Sequence, residues 1–126
     1  MLTEKDYCDY ETCVALKKLG FDERCHGYYE PLKKCFYTTS VRKCWCNSEV
    51  DDINVIICPT LYEAQKWLRE EMRVIVYPQY LTNGQTWMCM VYEEKKMLMH
   101  SVGRGSYNEV LNEGIKEAVK ILKENK

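Results

Sequence analysis

The stretch from Cys58 to Glu71 constrains this chain more than any other, because it combines a clear helix start with strand-like runs on both sides. Pro59 precedes Thr60, and Glu63 follows three residues later. The Thr60 hydroxyl can accept an orphan amide of the first turn while the Glu63 carboxylate reaches back to the cap amide. Behind this cap Leu61, Ala64 and Leu68 share one helical face with Trp67 beside it, and Gln65, Lys66, Arg69 and Glu70 lie outside. A helix with one apolar face needs a partner surface, and the flanking strand runs supply it.

The chain begins with a helix expected from Asp9 or Tyr10 to Leu19, with Cys13, Leu16 and Leu19 on one face and Lys17 and Lys18 on the other. Gly20 stops it and Phe21 folds back on the last turn. Residues 24–29 and 35–40 read as strands joined by a turn at Pro31 and Lys33-Lys34. Residues 42–48 read as a loop or ragged strand, Asp51-Asp52 as a turn, and Ile53 to Cys58 as a short apolar strand. After the central helix, Arg73 to Tyr77 is a β run ended by Pro78. Asn83-Gly84 then signals a hairpin. Strands follow at Thr86–Tyr92 and Met97–Val102, with a charged turn at Glu93–Lys96. The last helix opens on Ser106 with Glu109 three residues on. Tyr107, Val110, Leu111, Gly114, Ile115, Ala118 and Leu122 keep its helical rhythm. Gly114 lies inside that apolar stripe, where glycine costs about 1 kcal/mol relative to alanine, so another group is expected close against it, with Trp67 as a candidate.

These elements imply a single α+β domain over residues 1–126: an antiparallel meander, two helices on one face and the N-terminal helix at an edge. The length suffices for one core without staples. With 18 basic and 19 acidic residues the net charge is −1, which gives no overall field for nucleic acid or anionic lipid. No apolar run approaches the ~20 residues of a membrane span, and the polar start Met1–Asp6 lacks secretory-signal character. An intracellular, cytoplasmic protein is expected, and with it eight reduced cysteines that behave as small hydrophobes.

Residues 15–23 (Ala-Leu-Lys-Lys-Leu-Gly-Phe-Asp-Glu), the motif Pro59-Thr60-Leu61-Tyr62-Glu63-Ala64-Gln65-Lys66-Trp67-Leu68-Arg69-Glu70, and Tyr107 with Gly114-Ile115 and Ala118 carry a resemblance. On them the chain resembles a family of short proteins, without assigned activity, of Bacteroides-type gut bacteria and their phages. The resemblance spans nearly the whole chain and implies no reaction, cofactor or ligand. The cysteine-rich 35–46 segment is not part of the pattern.

Several constellations bring together chemistry-bearing side chains. Cys25, His26, Cys35, Cys44 and Cys46 offer soft metal ligands, but the one close pair, Cys44-x-Cys46, lacks the C-x₂₋₄-C spacing of a zinc knuckle, and packed free thiols explain it better. Cys25 and His26 are neighbours, which on a strand point to opposite faces and cannot form a thiolate–imidazolium pair. His100 has no orienting carboxylate close in sequence. The acidic pairs Asp51-Asp52, Glu70-Glu71 and Glu93-Glu94 read as solvated charge at turns and helix ends. The Gly103–Ser106 loop leads into a helix N-terminus, a place for an anion, but without P-loop spacing. Basic residues near Tyr28, Tyr29, Phe36, Tyr37 and Trp45 are too diluted by glutamate to favour nucleic acid.

The methionine strands carry the sharpest functional signal. Residues 87–92 and 97–100 are apolar on both faces, whereas a half-exposed strand alternates. Met88, Met90, Met97 and Met99 line up at period two, and methionine suits adaptable contact surfaces. The function expected from the sequence is therefore a small non-enzymatic accessory protein that binds a protein partner or a second copy of itself. No cofactor is expected, and no small-molecule ligand is inferred. The alternative is a metal-binding or thiol-dependent protein using Cys25, Cys35, Cys44 and Cys46, and a weak single-stranded nucleic-acid binder is third.

Overall fold

The structure, a computed structural model, describes residues 2–39, 43–50 and 53–124. The turn expected at Asp51-Asp52, the Ser40 end of the second strand and the Arg42 end of the ragged segment lie outside them. The class is α+β, with three α-helices and two three-stranded antiparallel sheets among the described residues. The chain forms two compact units, Met1–Thr60 and Leu61–Lys126.

In the first unit, α1 (Tyr10–Lys18) is capped by Asp9, whose side chain accepts from the Thr12 amide at 2.9 Å. The helix ends as its sequence implied. Gly20 takes φ +102°, the Gly20 amide donates to the Lys17 carbonyl at 3.1 Å, and the Phe21 amide donates to Leu16 at 2.9 Å. This is a Schellman stop, with Phe21 buried against the core. Strands β1 (Gly27–Glu30), β2 (Cys35–Thr38) and β3 (Ile56–Cys58) form a sheet of order β2-β1-β3. The hairpin of β1 and β2 was legible. The pairing of β1 with β3, which sets Gly27 opposite Cys58, was not. α1 packs on β3, one of the two edge strands of this sheet.

A buried polar side chain, together with the Cys25–Trp45 bridge, holds the 43–50 segment. The Asn47 amide donates to the Phe21 carbonyl at 2.8 Å, and its oxygen accepts from the Ile57 amide at 3.1 Å. Around it the Ser48 amide donates to Asp22 at 2.7 Å and Arg24 pairs with Glu49 at 2.9 Å. The hydrogen bonds from Ser48 hold the Asp22 carboxyl below its ordinary value. Glu49 is lowered in the same way, first by the Cys46 side chain and amide and then by Arg24.

In the second unit, α2 (Leu61–Glu71) buries Leu61, Ala64, Trp67 and Leu68, the face read from the sequence. Strands β4 (Val74–Leu81), β5 (Thr86–Glu93) and β6 (Leu98–Gly105) make the expected meander, in the order β4-β5-β6. The expectation that Pro78 ends its strand is corrected: β4 continues through Pro78, which sits opposite Cys89. β4 is an edge strand, where a missing amide is tolerated on the unpaired side. α3 (Tyr107–Glu124) packs across all three strands and against α2, which itself packs on β4.

Gly114 marks the closest approach of α3 to the sheet. A Cβ there would collide with Cys89 Sγ and stand 2.8 Å from Val76 Cγ1. The nearest neighbours are thus sheet residues rather than Trp67.

All three hairpins are closed by a four-residue turn whose last residue is left-handed without being glycine: Lys34 at φ 55°, Gln85 at 49° and Met97 at 54°. The Asn83-Gly84 signal identifies the hairpin, but Gln85 takes the positive φ.

Candidate functional site

Alternation along β5 fixes which side chains meet the helices. Cys89, Val91 and Glu93 are buried, while Met88, Met90 and Tyr92 are half-buried. The register carries this division across the sheet. Ile75, Tyr92 and Met99 stand opposite one another in one row, and Tyr77, Met90 and Ser101 in the next, with Gln79 opposite Met88 beyond them. Residues directly opposite share a face, so these side chains form one continuous surface. It lies opposite the face on which α3 meets Val76 and Cys89, and among the described residues no helix of this unit covers it. Tyr77 is 38% exposed and Met99 is 50% exposed. No Lys, Arg, Asp or Glu falls in these rows. The surface is a neutral patch of aliphatic, thioether and phenol groups, with the Ser101 hydroxyl and the Gln79 carboxamide among them.

Met88, Met90 and Met99 are therefore brought together, and Met97 is not. β6 begins at Leu98; Met97 occupies the left-handed end of the turn and is 78% exposed. Ile75, Tyr77 and Tyr92, which the reading of the methionines left out, complete the patch. The period-two pattern of β4 held that information but was obscured by Pro78.

At one end of the opposite face a second feature stands out. His100 Nε2 donates to the Glu93 carboxylate at 2.6 Å, and Glu93 is only 6% exposed. This is the orienting carboxylate that sequence neighbours of His100 did not supply. Val91 faces His100 and Glu93 faces Leu98, so Glu93 and His100 are diagonal neighbours across the hairpin. Glu93 keeps its burial through this bond, and the ring's hydrogen bond goes to a carboxylate rather than to a thiol.

The remaining candidates are dispersed. Cys25 is buried and its thiol donates to the Glu23 carbonyl at 3.6 Å, while His26 Nδ1 donates to the Lys43 carbonyl at 2.8 Å. Cys46 contacts Glu49 and Ser48, and Cys35 and Cys44 are half-exposed. Among the described residues no three His, Cys, Asp or Glu side chains converge as a metal site requires.

The five rings considered for base stacking divide across the first sheet. Tyr28, Tyr37 and Trp45 cluster together, while Tyr29 and Phe36 pack with Tyr10 and Tyr7. Lys34 lies over the Tyr10 ring and beside Glu11, away from the first cluster's rings. At the start of α3 the Ser106 amide donates to Glu109 and the Glu109 amide to the Ser106 hydroxyl, so a carboxylate of the chain already sits at that helix end.

A shallow cleft of about 210 Å³ is lined by Lys17, Gly20, Phe21, Asp22, Asn47 and Ser48. It is smaller than the roughly 300–1,000 Å³ of small-molecule sites. No helix among the described residues is long and apolar enough to cross a membrane. Comparison with protein-family models, with curated proteins and with solved structures gives no match.

Proposed function

We propose that this protein works by binding another protein chain, or a second copy of itself, through the outer face of the β4-β5-β6 sheet. The observation that carries this reading is the uncharged, half-exposed surface of Ile75, Tyr77, Met88, Met90, Tyr92 and Met99, which spans three strands opposite the face that holds the helices. Exposed aromatic and methionine side chains in one contiguous patch are the composition of contact surfaces, since they bury much area and adapt in shape. Recognition rather than turnover is the role such a surface supports.

The test is the double variant Met90→Lys/Met99→Lys. Both positions are outward, so the far-UV spectrum and cooperative unfolding should persist, while sedimentation should show loss of self-association or capture experiments loss of the partner. A double variant that unfolds would place these side chains in an interior and remove the basis for the proposal.

A further inference from the structure

We propose that Cys13 and Cys58 are a latent disulfide pair, joined when the chain folds in the presence of a small-molecule disulfide such as oxidised glutathione. Cys13 projects from α1 and Cys58 from the end of β3, elements that pack on each other. Both thiols donate to one acceptor, the Cys8 carbonyl, at 3.8 Å and 3.1 Å. Convergence on a single oxygen brings together two sulfurs that are far apart in sequence. Elsewhere the Cys25 thiol donates to the Glu23 carbonyl, Cys46 to Glu49, and Cys89 packs under Gly114.

The reaction is two successive exchanges. The first thiolate attacks one sulfur of oxidised glutathione, breaking its S–S bond and releasing one glutathione thiolate, which takes up the proton that the cysteine gave up. The second cysteine thiolate then attacks the protein-bound sulfur, forming the Cys13–Cys58 bond and expelling the second glutathione in the same way. Two protein thiols are oxidised to one disulfide, and one glutathione disulfide is reduced to two thiols. Both cysteines are buried, and burial first, then the neighbouring Cys58, raise the Cys13 thiol well above its ordinary value. The exchange therefore belongs to the opened or folding chain, and the folded unit then shields the bond from reductant.

The experiment refolds the full reduced chain from urea in a mixture of oxidised and reduced glutathione, blocks free thiols with iodoacetamide, and maps linked peptides by mass spectrometry. The expected product links Cys13 to Cys58, raises the melting temperature of the first unit by roughly 10 °C or more, and resists reductant until urea is added. Cys58→Ala refolded in parallel should lose that linkage and the gain in melting temperature. A product in which Cys13 or Cys58 pairs with Cys8, Cys35 or Cys44, or both carry only glutathione or free thiols, overturns the proposal. The linkage is read directly on the unsubstituted chain, so a poorly folding variant does not blunt the test.

Discussion

Replacing Gly114 by alanine sets two effects against each other at one atom. Alanine favours a helix interior by about 1 kcal/mol over glycine. The new Cβ would overlap Cys89 Sγ and stand 2.8 Å from Val76 Cγ1 and 3.1 Å from Cys89 Cβ, where carbon contacts prefer about 3.5–4.0 Å. Cys89 and Val76 are both buried, in paired strands, so neither can swing out to solvent. Overpacking of this kind costs about 1–3 kcal/mol. The balance is a loss of up to about 2 kcal/mol, or about 4–8 °C in melting temperature per kcal/mol for a unit of this size. Urea unfolding followed by circular dichroism reads it. Shaving the neighbour should recover part of the loss, so Cys89→Ala combined with Gly114→Ala should show a coupling of about 1 kcal/mol in a double-mutant cycle. A Gly114→Ala chain that melts at or above the parent temperature, with no coupling to Cys89, would refute the close approach.

Three further outcomes follow from the geometry. Met97→Gly and Gln85→Gly should each stabilise the chain by about 0.5–1 kcal/mol in urea, because a left-handed non-glycine residue costs about 1–2 kcal/mol and glycine returns part of that as entropy; Met97→Gly should leave association unchanged. His100→Ala should destabilise by about 1–3 kcal/mol by leaving the Glu93 carboxylate buried without its donor, and Glu93→Gln in the same chain should recover part of the loss. Asp22 and Glu49 are lowered on folding, so their contribution is complete above the ordinary carboxylate range and is lost as pH falls through that range to the folded values; the urea midpoint should drop on acidification, and Asp22→Asn should flatten the drop.

The elements governed by local chemistry were readable. Asp9, Gly20, Ser106 and Glu109 each satisfy or terminate a helix within a few residues, and the buried faces of α2 and α3 follow from side-chain spacing alone. What escaped depends on partners distant in sequence. Nothing near Gly27 says that it will lie against Cys58, or that Asn47 will join Phe21 to Ile57. Pro78 reads as a strand end unless its strand is known to be an edge. Met97 has the composition of a strand residue, and only the length of the turn places it outside β6. For the candidate site, the period-two spacing puts Met88 and Met90 of β5 on one face, the face that Met99 of β6 shares. The contributions of β4, and the Glu93–His100 contact, required the register.

Hydroxyl-radical footprinting of methionine, read by mass spectrometry across a range of protein concentrations and with captured partner, tests the proposed contact face most directly. Met88, Met90 and Met99 should oxidise readily in the dilute free chain and become protected together on association, while the turn residue Met97 stays reactive throughout. Protection of Met88 and Met90 in the dilute monomer, or association that leaves all three reactive, would contradict the proposed contact.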